Sequence, residues 1–204
     1  MKIWMQGAVV GILAVALGSS MAHAQIDVAL SGLGTFTSGT TGFGTQETPS
    51  NSGGALLEVR RIVKPLVGYE FNYSFNIANE TYSPLTSSCF PVCSQPTLKV
   101  DGKANQFGAN WVVSMNKGNI RPFALGGIAM KVTVPGYSTF AVRTVSRAAY
   151  VFGAGVDWNV NKHWGVRLQA RGNLTKAPNL SAVYTSTTKY TEIYEPTAGV
   201  FYRF

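Results

Sequence analysis

Charged side chains are scarce. Asp, Glu, Lys and Arg make up 13% of the 204 residues, about half the share usual in a soluble domain. Cysteine is nearly absent, with 2 in the chain, which excludes a miniprotein built on disulfides. Histidine also numbers 2, which leaves little material for a His-based metal centre or general base. After residue 24 no stretch runs about 18 apolar residues without interruption, so any crossing of a bilayer there would need strands.

Glycine, at 22 residues, and aromatics, at 12%, are plentiful. Low charge with this much aromatic side chain excludes disorder and coiled coil. The formal net charge of +8 suits contact with anionic lipid. The basic residues are dispersed, so nucleic acid is not an expected partner.

Residues 1–24 read as an address. A basic start at Lys2 is followed by an apolar run from Gly7 to Gly18 and a small-x-small end, Ala22-His23-Ala24. That is the pattern of a secretory signal peptide, and the run is too short to span about 30 Å of hydrocarbon as a helix. Cleavage is expected near Ala24, leaving residues 25–204 as one domain.

The remainder alternates with period two. Val67, Tyr69, Phe71, Tyr73, Phe75 and Ile77 share one face, and Gly68, Glu70, Asn72, Ser74 and Asn76 share the other. Trp164, Val166, Leu168, Ala170, Gly172 and Leu174 repeat the pattern against Gly165, Arg167, Gln169, Arg171 and Asn173. Eight strands are predicted, at 25–37, 54–62, 66–78, 101–114, 119–133, 145–158, 163–174 and 192–204. The faces of 119–133 stay unassigned, because Phe123 and Leu125 share a parity with Arg121. Tight connections at Ile62–Pro65, Met115–Asn119 and Asn159–His163 alternate with long polar ones at 38–53, 79–100, 134–144 and 175–191. Strict alternation of this kind predicts an up-and-down meander with every long loop at one end.

The distribution of side chains then decides what the sheet faces. One face is crowded with large aromatics. The other holds Gly68, Gly108, Gly153, Gly155, Gly165 and Gly199 with charges between them. Small and polar residues suit the narrow interior of an eight-strand closure, and large apolar ones suit lipid. The predicted fold is therefore all-β: an eight-stranded antiparallel up-and-down transmembrane β-barrel. Trp111, Trp158, Trp164, Tyr202 and Phe204 are expected at the rim near the tight turns, and Tyr73, Phe75, Tyr150 and Tyr194 toward the other rim, as two aromatic belts.

The chain ends with Ala198, Val200, Tyr202 and Phe204 on one face. This resembles the C-terminal signature of bacterial outer-membrane proteins, and the whole pattern resembles the OmpA transmembrane-domain and OmpX-like eight-stranded barrels. The resemblance implies residence in the cell outer membrane as a monomer in contact with lipid and lipopolysaccharide. It also implies passage through periplasmic chaperones to the barrel-assembly machinery, which would read Ala198, Val200, Tyr202 and Phe204. No peptidoglycan-binding segment follows Phe204 in this sequence, so tethering to the cell wall is not implied.

Glu58, Arg60, Glu70, Arg167 and Arg171 fall on the polar face near mid-height. Charges in a narrow lumen are costly unless paired, so an ion-pair network is expected, with Glu58 and Glu70 opposite Arg167 and Arg171. Asp157, Glu195 and Arg203 face inward nearer the strand ends. The resemblance implies that such a cluster can gate, whereas an eight-strand interior leaves room for little but a structural plug. Cys89 and Cys93, in Cys-Phe-Pro-Val-Cys within a long loop, would lie in an oxidising compartment and are expected to form a disulfide. No metal site is expected, since no His or third Cys is near.

Tyr82, Tyr137, Tyr184 and Tyr190, with Lys99, Arg143, Lys176 and Lys189, would present aromatic and basic groups to a partner or to lipopolysaccharide phosphates, or form a solvated crown. The sequence offers no catalytic residue: His163 falls in a tight turn, and no Gly-Xaa-Ser-Xaa-Gly is present. Three functions are compatible with this pattern. They are a non-enzymatic outer-membrane barrel with a structural and surface-interaction role, a small passive or gated channel, and a soluble periplasmic lipocalin-like binder with its aromatics inside. No cofactor is expected for any of them.

Overall fold

A computed structural model describes residues 25–63, 66–85, 97–115, 118–136, 143–178, 180, 187 and 189–204. The leader, Cys89, Cys93, Tyr137 and Tyr184 lie outside the described residues. The described residues form twelve strands: β1 (Gln25–Thr37), β2 (Thr40–Gly42), β3 (Thr45–Pro49), β4 (Ser52–Ile62), β5 (Val67–Ile77), β6 (Glu80–Pro84), β7 (Leu98–Val100), β8 (Gly102–Ser114), β9 (Ile120–Pro135), β10 (Val145–Asn159), β11 (Trp164–Lys176) and β12 (Tyr190–Arg203). Eight of them close in the order β1-β12-β11-β10-β9-β8-β5-β4. All neighbours are antiparallel, and closure is made where Ala29 of β1 pairs both Phe201 of β12 and Glu58 of β4. These eight are the strands expected from the alternation, which closes the sheet without an unpaired edge.

The wall is inverted relative to a soluble barrel. Asp27, Glu58, Arg60, Asp157 and Arg167 are wholly buried, whereas Phe71 is 45% exposed, Leu168 56%, Tyr150 62% and Trp111 68%. A lipocalin-like binder requires the opposite assignment, so that alternative is excluded. At the tight-turn end Tyr202 packs edge-on against Trp164 and Phe204, at ring separations of 5.1 Å and 4.9 Å. His163 stacks on the same ring at 5.8 Å. At the other end Tyr73 lies 4.8 Å from Phe107.

β9 resolves the one strand whose faces could not be read. Arg121, Phe123 and Leu125 all point inward, and Phe123 and Leu125 join Val112, Ala129, Ala149 and Val151 in an apolar patch on the lumen wall. The reason is the charge opposite: the Arg60 guanidinium lies 4.0 Å over the Phe123 ring, a cation–π contact that an aliphatic side chain would not supply. Space for the ring comes from Gly155, where an added Cβ would approach Phe123 Cζ to 2.6 Å.

The long connections 38–53 and 79–100 carry more order than the alternation indicated. β2, β3, β6 and β7 form a separate four-stranded antiparallel sheet in the order β2-β3-β6-β7 at the long-loop end. The buried members here include Thr40, Thr45, Glu47 and Glu80, so a hydrophobicity count passes over them. Gly42-Phe43-Gly44-Thr45 does carry a local signal. Phe43 and Gly44 have φ of 49° and 73° between the paired residues Gly42 and Thr45, which is the two-residue hairpin turn that matches strand twist.

Candidate functional site

The interior charges are placed by the register. Arg60 sits between Asp27 and Glu70 on its neighbouring strands, Asp157 between Arg121 and Arg167, Arg171 opposite Glu195, and Asp27 opposite Arg203. Opposite charges thus meet at the same height on adjacent strands, where cross-strand pairs stabilise a sheet. Arg60 donates to Glu70 Oε2 from Nε at 2.9 Å and from Nη2 at 2.6 Å. Arg167 donates to Asp157 from Nε at 2.7 Å and from Nη2 at 3.1 Å. Arg203 holds Asp27 in the same two-pronged way, at 2.8 Å and 3.2 Å. The guanidinium fork is suited to this geometry.

Contacts across the lumen join these neighbour pairs into one network. Arg60 Nη1 reaches Asp157 Oδ2 at 3.3 Å. Arg167 Nη1 lies 3.5 Å from Glu58 and 4.0 Å from Glu70, and its Nη2 lies 3.9 Å from Asp27. Gln169 donates to Glu58 at 2.9 Å and Asn110 to Glu70 at 3.1 Å. Of the residues singled out by sequence, Arg167 faces Glu58 and Glu70. Arg171 does not: it lies 4.0 Å from Glu195 and donates to Asn72 at 3.3 Å. Two carboxylates carry more of the network than the sequence indicated. Asp157 bonds both Arg60 and Arg167, and Asp27 lies within ion-pair distance of Arg121, Arg167 and Arg203. Their register against arginines on both flanking strands is the signal that would have found them.

Ala198, Val200 and Phe204 are exposed on the outer face, with Tyr202 half-buried among its ring neighbours. The Phe204 amide donates to the Ile26 carbonyl at 2.9 Å, so the terminal residue is tied into the closure. Among the described residues no group of His, Cys, Asp and Glu is arranged to hold a metal ion.

Above the network the small sheet packs on Tyr82, Leu98, Val100, Val145 and Leu180. The Tyr82 hydroxyl donates to the Pro178 carbonyl at 3.0 Å and accepts from the Leu180 amide at 3.1 Å. Beneath it lie two carboxyls with depleted solvent. Burial pushes Glu47 up to about 7, and burial together with the Glu47 carboxylate pushes Glu80 up to about 8, with Lys131 pulling the other way. An acid whose folded pKa exceeds its unfolded value keeps its full contribution at low pH and loses it as the unfolded chain ionises first. The cap is therefore expected to weaken as pH rises from about 5 to about 8. Hydrogen exchange of amides 80–83, corrected for intrinsic rate, checks this: protection should fall across that window in the native chain and much less in Glu80→Gln.

The comparisons agree with this architecture. The profile of the outer membrane protein beta-barrel domain family matches residues 10–204. No curated protein sequence matches the chain. Neisserial surface protein A is similar in structure, with TM-score 0.58 at 13% identity over 90% of this chain and 100% of that one. OprG from Pseudomonas aeruginosa follows at 0.54 and 12%, over 89% and 95%. The Ail protein of Yersinia pestis, solved with the heparin analogue sucrose octasulfate, gives 0.52 and 13%, over 89% and 97%. In such barrels short turns face the periplasm and long loops the exterior. With its inverted wall, eight-strand closure and family match over nearly the whole length, the chain belongs to the outer membrane protein beta-barrel family and resides in the outer membrane.

Proposed function

We propose that the protein is a non-enzymatic, monomeric barrel whose lumen is structurally filled and whose work is done at its outer surface. The observation that carries this reading is the interlocked network. Asp27, Glu58, Arg60, Asp157 and Arg167 have no solvent exposure, and their contacts run from one wall to the other. A plug of this kind supports a scaffold role better than free passage of solutes. The gate that family resemblance implies would need these contacts to exchange partners.

The outer end supplies the interacting groups. Tyr190 with Lys99, Arg143, Lys176 and Lys189 lies in or beside the long loops, and the Lys176 ammonium lies 5.8 Å from the Tyr190 ring; Tyr82, expected among these groups, is instead buried in the cap with its hydroxyl bonded to Pro178 and Leu180. Basic and aromatic groups at that height suit lipopolysaccharide phosphates or an external partner. In this reading residues 1–24 direct export and are removed near Ala24. Cys89 and Cys93 form a disulfide that stiffens a loop. Chaperones pass the chain to the barrel-assembly machinery, which reads Ala198, Val200, Tyr202 and Phe204.

Planar-bilayer recording of Glu58→Ala tests the plug. Among the described residues Glu58 bonds only Gln169 closely, with Arg167 at 3.5 Å, so its loss should lower stability without opening the lumen. The expected result is no large, steady conductance in either native or variant protein. Large, steady currents in the variant would replace the plug with a gated channel.

A further inference from the structure

A second charged layer lies between the ion-pair network and the cap, and it is built differently. Lys131 of β9 and Arg147 of β10 are direct register partners, and both line the cavity beneath the small sheet. Like charges directly opposite each other destabilise a sheet. Every other inward arginine at a strand pairing described above meets a carboxylate. Here two cations meet, and among the described residues neither forms an ion pair. Arg147 Nε is buried without a hydrogen-bond partner.

The nearby acids do not cancel this charge. Among the described residues neither Glu195 nor Glu80 reaches Lys131 or Arg147 within ion-pair distance; Glu195 Oε2 lies 4.0 Å from Arg171 and has no hydrogen-bond partner. Burial and the Glu47 carboxylate push Glu80 up to about 8, and its Oε2 is itself a buried atom without a partner. The rest of the wall is mostly hydroxyl and amide side chains, among them Thr35, Asn76, Thr133 and Thr175, with Pro178 and Ile193 between them, so an anion there meets hydrogen-bond donors as well as the two cations.

We propose that Lys131 and Arg147, facing each other beneath the outer cap, form a binding site for a small oxyanion of the carboxylate or phosphate class. The guanidinium plane accepts two oxygens side by side, and the ammonium supplies a point charge to the same group. Bound there, the anion relieves the repulsion between the two strands and satisfies the orphaned Arg147 Nε. The site stands above the plug and does not depend on whether the lumen conducts.

Calorimetric titration of the refolded protein in nonionic maltoside micelles, with inorganic phosphate, butyrate and chloride at equal ionic strength, tests this. Saturable uptake of phosphate or butyrate, weakened tenfold or more in both Lys131→Gln and Arg147→Gln, is the expected result, and the preferred anion tells a phosphate source from a carboxylate one. Absence of saturable uptake of both oxyanions, an equal response to chloride, or undiminished binding in both variants would overturn it. Urea unfolding without added oxyanion gives an independent reading. Relief of repulsion predicts that each variant unfolds at a higher urea concentration than the native chain. If both unfold at a lower one, the two cations serve as counter-ions to Glu80 and Glu195, and the proposal fails.

Discussion

Asp157→Ala is expected to lower the unfolding free energy of the refolded barrel by about 3–5 kcal/mol, the range for leaving a buried charge without its partner. Asp157 is wholly buried. It accepts from Arg167 Nε at 2.7 Å and Nη2 at 3.1 Å, and from Arg60 Nη1 at 3.3 Å. Its removal leaves two guanidinium groups competing for Glu70, Glu58 and Asp27, with the Arg60 and Arg167 side chains both already beside Phe123. Asp157→Asn should cost less, since one acceptor oxygen survives. Glu58→Ala should also cost less, because Glu58 makes a single close bond, from Gln169. Urea unfolding in detergent, followed by heat-modifiable gel migration, measures all three. Equal losses for Asp157→Ala and Glu58→Ala would mean that the network has no centre.

Leu168→Arg is expected to cost about 2–4 kcal/mol in a bilayer, the penalty for arginine on the lipid face near the midplane. Leu168 is 56% exposed to the medium around the barrel. It stands four residues along β11 from Trp164, about 10 Å inside the interface given the strand rise and tilt. Val160→Arg, in the tight turn between β10 and β11, is the control and should cost about 0–1 kcal/mol. On a water-facing wall the two substitutions would be equally harmless. Comparing refolding yield and urea midpoint of both variants in vesicles separates the alternatives.

The strands were legible because one physical demand repeats along the chain: each residue that faces lipid must be apolar, and its neighbours must fit a narrow polar interior. Val67–Ile77 and Trp164–Lys176 meet that demand at nearly every position. β9 does not, since Phe123 and Leu125 face inward beside Arg121, and period two alone cannot choose between a greasy lumen wall and a lipid face. The choice is made by Arg60, which is distant in sequence and comes to rest over Phe123. Asp157 was visible as an inward residue and Asp27 was not singled out, and the weight of both depends on which arginines stand opposite, which is a property of register. The outer sheet was opaque for another reason. β2 and β3 bury Thr40, Thr45 and Glu47, and the apolar members Tyr82, Leu98 and Val100 come from two very short strands, so only the turn at Phe43-Gly44 betrays it. The Lys131–Arg147 pair likewise emerges only once β9 and β10 are aligned.

Rings outside and charges within define this wall. Beyond residue 24 the tryptophans are Trp111, Trp158 and Trp164, exposed by 68%, 59% and 51% on the outer wall near the tight-turn rim. Fluorescence of the protein refolded into vesicles, quenched in turn by lipids brominated near the headgroup and by aqueous iodide, reports directly on what these rings touch. Strong quenching by the brominated lipid with little by iodide is the predicted result. Protection from the lipid-borne bromine, with or without access for iodide, would place the rings away from the acyl chains and contradict the inverted wall.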